Sequence, residues 1–313
     1  MNPQSIESLP CPVISSFDPL EALISAVPPP PSPGPFELRS LLPSVNFIEY
    51  YGLESNPFAD CVHPTFFYRT ESHAEAFRSM MLAVDFQASL GLVTGPSGTG
   101  KTLVSQLLLE QFDQSKYHVI LVLVTPGLSK IGLLREILSE LNLALPAGIS
   151  RVQDLMKLLG NHIMDMHERG QRLVIIVDEC HLLDAECLHV IRTISNIEIP
   201  ERKLTTTLLF GEARLVQRLE HPSYESLRNR IYVRAELKPL RADETRQYVG
   251  FRLLVAGRMA DLFAPDAFDV LHTHSGGICR SLNKLCMLSL IEGALRQQPL
   301  VDAATVHAAA ARM

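Results

Sequence analysis

Hydrophobic positions in this chain alternate between two spacings. In Ser89-Leu90-Gly91-Leu92-Val93-Thr94, His118 to Val124 and Leu173-Val174-Ile175-Ile176-Val177, apolar residues run almost without interruption, the pattern of strands covered on both faces. Elsewhere they recur every three or four positions. Leu103, Leu107, Leu108 and Phe112 do so first, then Ile131 to Leu143, then Val152 to His167, where Gly170 closes the pattern. Each stretch predicts a helix packed by one face. A helical stretch from about His73 to Phe86 precedes the first strand, and Pro146 and Gly148 break the chain between two later helices. Alternation of this kind predicts an α/β fold, a doubly wound parallel sheet flanked by helices with ligands bound beyond the carboxyl ends of the strands.

Toward the N-terminus the periodicity fades. Pro28, Pro29, Pro30, Pro31, Pro33 and Pro35 cluster there among almost no basic residues, which favours extended conformers and buries too little surface to fold alone. Residues 1–45 are therefore expected to form a proline-rich disordered leader, either a spacer or a docking peptide for a groove on a partner. Within it, Ile14, Phe17, Leu20, Leu23 and Ile24 give one or two amphipathic turns.

Composition narrows the functional classes. A chain of 313 residues has room for one large domain or two modest ones. The net charge is −6 and its basic residues are scattered, so no basic footprint advertises nucleic acid. DNA binding stays possible only through a patch formed on assembly. None of the six cysteines forms a C-x-x-C pair, which suits thiols in a reducing compartment. No apolar run approaches the roughly 18 residues that span a bilayer, and the first residues lack a basic region followed by an apolar core. A cytoplasmic protein without an intrinsic membrane span is the expectation.

The chemistry is concentrated at two strand ends. Gly95-Pro96-Ser97-Gly98-Thr99-Gly100-Lys101-Thr102 fits the phosphate-binding pattern G-x-x-x-x-G-K-S/T at every required position, between the first strand and the helix that opens at Leu103. Glycines let the backbone curl with its N–H groups inward, and a helix N-terminus adds partial positive charge, so the run suits a nucleotide's phosphates. Lys101 is the candidate for the β- and γ-phosphates of ATP, and Thr102 for a Mg²⁺ ligand. The strand at Leu173–Val177 ends in Asp178-Glu179, the Walker B pattern: Asp178 as a second Mg²⁺ ligand, Glu179 as the group that polarises the attacking water. His181 follows, either sensing the γ-phosphate or simply starting a helix. Upstream, aromatic residues gather in Tyr50-Tyr51, Asn56-Pro57-Phe58 and Phe66-Phe67-Tyr68. Asn56 and Phe58 are candidates for covering an adenine ring, with packing against the sheet as the alternative.

Asp178-Glu179-Cys180-His181-Leu182-Leu183, followed by Ile191-Arg192-Thr193-Ile194-Ser195-Asn196-Ile197-Glu198, resembles the ATPase domain of the general secretion pathway protein A (ExeA) family. The opening Tyr-Gly-Leu…Asn-Pro-Phe segment is similar to that family's start. These are AAA+ ATPases, related to transposition regulators of the TnsC/TniB type, and the resemblance covers about residues 47 to 300. It implies a P-loop NTPase domain over 46–238 and a small helical lid over 239–313. Thr205 to Gly211 is then a fourth strand, ending in Gly211-Glu212 where the family tends to have Gly-Gln, so a carboxylate occupies the usual sensor place. Thr125-Pro126 stands where the family shows Asn-Pro, so any restraint on Glu179 is either weakened or rebuilt around the threonine hydroxyl. Ser226-Leu227-Arg228-Asn229-Arg230-Ile231 resembles the segment that gives an arginine finger to the neighbouring subunit, making Arg228 and Arg230 catalytic candidates in a homo-oligomer. Helices at Arg241 to Gly257 and Ala267 to His274 open the lid. Ile278-Cys279-Arg280-Ser281-Leu282-Asn283 is similar to the family's Gly-Ile-Pro-Arg…Asn run, with Arg280 as second sensor and Cys279 in the proline's place.

The resemblance implies an ATP-hydrolysing switch or motor that engages a protein partner, a membrane secretion component on one reading. The alternative is an ATP-dependent DNA-binding regulator that recruits a transposase.

Overall fold

The centre of the protein is a set of strands that carry apolar side chains to both faces of one sheet. The computed structural model describes residues 46–60, 64–145, 149 and 151–313. The proline-rich leader and the break at Pro146 and Gly148 lie outside them. Strands β1 (Leu90–Thr94), β2 (Tyr117–Leu123), β3 (Arg172–Asp178), β6 (Thr205–Gly211) and β7 (Ile231–Glu236) form a five-stranded parallel sheet in the order β2-β3-β6-β1-β7. β4 (Glu198–Ile199) and β5 (Arg202–Lys203) form a separate two-stranded hairpin.

Neighbouring residues within a strand enter opposite layers, as the two-residue period requires. Leu92, Ile175 and Leu209 pack with helices α4 (Lys130–Glu140), α5 (Val152–Glu168) and α6 (Ala185–Ile194). Val93, Val174, Ile176, Leu208 and Phe210 face the other way, onto α2 (Glu71–Asp85) and α3 (Lys101–Gln111). Several helix starts are fixed by their own side chains. Thr70 caps α2, Ser129 caps α4 and Asp184 caps α6, each accepting an N–H of the first turn; such a cap is worth about 1 kcal/mol.

Beyond the sheet, α9 (Ala242–Val255), α10 (Pro265–Ser275), α11 (Cys279–Leu295) and α12 (Ala303–Ala310) build a third apolar cluster. The short helix α1 (Phe47–Tyr50) and the segment after it belong to this cluster, through Tyr51, Leu53 and Phe58. The Tyr51 hydroxyl donates to the Gln298 carbonyl at 3.0 Å, and Glu54 N–H to Ala256 O at 2.9 Å. Two further helices, α7 (Ala213–Leu219) and α8 (Glu225–Arg228), connect β6 to β7.

The structure differs from the sequence-based expectation at three places. β7 is a strand that apolar runs did not reveal, because as an edge strand it alternates half-buried and exposed positions, with Tyr232 70% exposed. β3 begins at Arg172, whose guanidinium finds Val84 O at 3.0 Å and Thr206 Oγ1 at 3.3 Å, so a charged residue is accommodated in the ladder. α4 stops at Glu140 rather than Leu143, because Asn142 takes a φ of 54° and turns the chain.

Candidate nucleotide-binding site

The two motifs meet at the carboxyl ends of β1 and β3, which β6 separates in the sheet. The loop after β1 curls tightly, with Gly98 at φ +80° and Gly100 at φ +97°, a region that penalises every side chain except hydrogen. Gly95 must also lack a side chain, since a Cβ there would come within 2.6 Å of the Leu237 carbonyl oxygen. Internal bonds hold the curl. Thr99 Oγ1 donates to Pro96 O at 2.8 Å, and the Lys101 ammonium donates to Gly95 O at 3.0 Å and Pro96 O at 2.9 Å. α3 starts at Lys101, so the N–H groups of its first turn have no partner inside the helix and face the loop's concavity.

Thr102 Oγ1 donates to Asp178 Oδ2 at 2.7 Å, while Asp178 Oδ1 accepts the Glu179 N–H at 2.8 Å. Asp178 is 1% exposed. A buried carboxylate and a hydroxyl in contact make an all-oxygen donor set, the chemistry that Mg²⁺ prefers, so the residues present fit that ion. Lys101 is buried beside them. Burial lowers its pKa, against the pull of the Glu179, Glu212 and Asp178 carboxylates. Glu179 is half-buried and has a φ of 57°, a strained conformation for a residue with a Cβ, of the sort that collects at reactive sites.

One cleft gathers Ser97, Gly98, Gly100, Lys101, Thr102, Leu103, Glu179 and Arg280, all expected from the sequence. Its far wall comes from the C-terminal helices. Arg280 N–H donates to Gly98 O at 3.2 Å and its guanidinium approaches Ser97 Oγ at 3.5 Å, so the first turn of α11 rests on the phosphate loop. Leu240 N–H donates to Gly277 O at 2.9 Å behind it. Pro96, Thr99 and Gly95 support the loop from within, and Asp178 lies directly behind Thr102.

Four expected residues stand elsewhere in the fold. Phe58 is 1% exposed and packs edge-on against Phe263, so of the two readings of the aromatic segment, packing holds for this ring, and against helices rather than the sheet. Asn56 accepts the Phe58 N–H at 3.0 Å and its amide touches the Met287 sulfur, so it too serves that junction. Arg228 donates to Glu220 O at 3.2 Å, and Arg230 to Asn196 Oδ1 at 2.8 Å and Ser226 O at 2.7 Å, on the α8–β7 corner away from the cleft of their own chain.

Other residues of the site were not foreseen. His73 is buried in α2, and its Nε2 donates to Thr99 O at 2.9 Å while Nδ1 accepts from Thr70 Oγ1 at 2.6 Å. Burial holds its pKa below the ordinary value, which keeps the ring neutral in this arrangement. Tyr248, Arg252 and Asn283 line the cleft on the side of the C-terminal helices. Arg252 reaches Pro57 O and Ala59 O, and donates to the Tyr248 hydroxyl at 2.9 Å; that hydroxyl donates to Asn283 Oδ1 at 2.8 Å. The sequence signals were the four-residue spacing of Tyr248 and Arg252, which puts both on one helix face, and the run from Arg280 to Asn283. Thr125 is exposed, and the His181 imidazole lies 3.4 Å from Glu179 Oε2. No helix of the described residues is long and apolar enough to cross a membrane.

Residues 84–219 match the family model described as an AAA domain. General secretion pathway protein A of Aeromonas hydrophila is 34% identical over 247 residues, covering 78% of this chain. The chain spans 44% of the length of that relative. The Aeropyrum pernix ORC2 protein, solved in ADPNP–ADP complexes, superposes with a TM-score of 0.61 at 13% identity, covering 82% of this chain and 71% of that one. The Aeropyrum pernix ORC1 protein in complex with DNA gives 0.61 at 19% identity, covering 82% and 68%. At such identities these two likenesses establish the fold alone. On this footing residues 84–219 form an AAA domain of the P-loop NTPase fold, in a chain similar to general secretion pathway protein A.

Proposed function

We propose that the chain binds ATP between the phosphate loop and the C-terminal helices and hydrolyses it, using the bound state to control assembly and partner engagement. The observation that carries this reading is the 2.7 Å contact of Thr102 with Asp178, in a cleft that also holds Lys101 and Glu179. Phosphates enter the ring of N–H groups at Gly98 to Thr102, and Lys101 leaves the Gly95 and Pro96 carbonyls to meet them. Thr102 and Asp178 would hold Mg²⁺, which when bound supplies positive charge to the β- and γ-phosphate oxygens. Glu179 orients water for attack, and Arg280, already seated on the loop, closes the cleft from the helical side.

Neither Arg228 nor Arg230 lines the cleft of its own chain, which leaves both available to act on a neighbouring copy. A guanidinium suits that task, being always charged and presenting its donors in a planar fork. The reading therefore includes a homo-oligomer whose active sites lie between subunits. The sequence relationship to general secretion pathway protein A favours a role alongside secretion components over one with a transposase. DNA as a ligand has the support of a fold shared with DNA-bound ORC1, and the net charge of −6 weighs against it.

The test compares Lys101→Ala with Glu179→Gln in nucleotide binding and phosphate release. The first is expected to lose binding. The second should bind ATP normally and release almost no phosphate. Unchanged phosphate release in both variants would remove the hydrolytic reading.

A further inference from the structure

Between Glu179 and the end of β6 lies a histidine that none of the roles above uses. The His181 side chain is 2% exposed, enclosed at the corner where the turn after β3 meets β6. Gly211 is the residue that admits this turn, since a Cβ there would come within 2.8 Å of Cys180 Sγ and 3.2 Å of His181 N. The ring is oriented by three contacts. Its Nδ1 lies 3.3 Å from the Glu212 N–H, its Nε2 lies 3.4 Å from Glu179 Oε2, and the same Nε2 lies 3.8 Å from Glu212 Oε1.

These contacts decide the tautomer. A backbone N–H can only donate, so Nδ1 accepts and the proton of the neutral ring resides on Nε2. Nε2 is the ring nitrogen on the side of two carboxylates, Glu179 Oε2 at 3.4 Å and Glu212 Oε1 at 3.8 Å. The same reasoning disposes of a metal at this place, although Glu179, His181 and Glu212 offer atoms within 4.8 Å of one another. A ring that ligates through Nε2 must carry its proton on Nδ1, where it would collide with the Glu212 N–H.

We propose that His181 is a positioning residue for hydrolysis: its Nε2–H, fixed in direction by the Glu212 backbone, holds the Glu179 carboxylate beside the cleft and ties it to the start of α7. The proposal rests on the hydrolytic reading of Glu179. At 3.4 Å the contact is electrostatic rather than a formed hydrogen bond, so it biases the carboxylate without locking it, and Glu179 is left free to turn toward a water. Glu212 gains a role by the same geometry. Its carboxylate is engaged by Arg214 at 3.1 Å, so what faces the cleft from the end of β6 is a paired group rather than a bare negative charge. Because Glu212 is the residue from which α7 begins, and α7 leads through α8 to Arg228, the tether joins the hydrolytic carboxylate to the chain segment that carries the candidate fingers.

Two substitutions separate positioning from mere packing. His181→Gln can place an N–H near the Nε2 position and keep the donor, whereas His181→Asn retains an acceptor near Nδ1 and loses the donor toward Glu179. Both are polar and smaller than the ring, so they share the packing defect. Phosphate release at saturating ATP and affinity for a fluorescent ATP analogue are measured for each. The Asn variant should lose about 10- to 100-fold in kcat, the scale of a misplaced catalytic group, with nucleotide affinity within about twofold of the parent. The Gln variant should recover at least several-fold of that loss. Equal kcat in the two variants, a better Asn variant, or a loss of affinity that matches the loss of kcat would each overturn the proposal. Failure of the underlying reading looks different: Glu179→Gln would then turn over like the parent, whatever the residue at 181.

Discussion

Two adjacent glycines at the junction with the C-terminal helices offer a controlled comparison. Gly276 and Gly277 both occupy the left-handed region, at φ +57° and +71°. An alanine at either pays for that conformation, about 1 to 2 kcal/mol. Their surroundings differ. A Cβ at Gly276 meets nothing within 4 Å, whereas one at Gly277 would overlap the Leu240 carbonyl oxygen and lie 3.0 Å from Leu240 N. Both atoms are backbone and cannot rotate away. Relieving the clash means separating the two segments, which adds roughly 1 to 3 kcal/mol of overpacking strain. It also breaks the Leu240 N–H to Gly277 O bond, worth about 1 kcal/mol. Gly277→Ala should therefore cost roughly 3 to 6 kcal/mol and Gly276→Ala only about 1 to 2 kcal/mol. Urea unfolding measures both. Against a total stability of about 5 to 15 kcal/mol the first loss is large. Because Gly277 stands three residues before Arg280, the same variant should bind nucleotide more weakly, while Gly276→Ala binds as the parent does. Equal destabilisation of the two variants, within about 0.5 kcal/mol, would refute the steric argument.

Other consequences are as direct. Thr102→Ala removes the hydroxyl in contact with Asp178 and should raise the Mg²⁺ concentration needed for half-maximal phosphate release by about 10- to 100-fold, read by titrating the ion at fixed ATP. The paired substitution Arg228→Ala, Arg230→Ala should lower turnover about a thousandfold at high protein concentration while leaving ATP binding intact; specific activity independent of protein concentration in the parent would contradict a shared site. For His73, burial puts the folded-state pKa below the unfolded value of 6.5, so the unfolded chain takes up a proton that the folded one refuses. Its contribution is fully present above 6.5 and is lost as the pH falls below it. Urea unfolding at about pH 7.5 and about pH 5.5 should show a smaller drop in His73→Gln than in the parent.

How much of this was legible depended on where each residue's constraints come from. β1 and β3 are buried on both faces, so their apolar runs carry the signal within the segment itself, whereas β6, which opens with three threonines, was placed only by the family resemblance. The phosphate loop is also local, its geometry demanded by glycines a few residues apart. β7 gives no such signal, since half of its positions face solvent. Phe58 was a candidate for a ligand because the aromatic segment that holds it precedes the strand of the phosphate loop, but the cluster that swallows it comes from α9 to α12, some two hundred residues on. His73, Tyr248, Arg252 and Asn283 reach the cleft only because distant helices pack there. Spacing groups Tyr248 with Arg252 and Arg280 with Asn283, but no spacing rule connects either pair to the phosphate loop before the fold does.

The place of β1 in the sheet also sets when the cleft can come into being. Leu90 pairs with Thr207 on one side and Ile231 on the other, so the strand that carries the phosphate loop has no partner among the residues synthesised before or soon after it. Contacts so far apart in the chain close slowly. During translation the loop must wait, unsupported, until β6 and β7 have left the ribosome, and the wall bearing Arg280 emerges later still. Nucleotide accordingly has nothing to select until synthesis has passed Arg280, and a nascent polypeptide halted before β6 should gain no protease resistance from it.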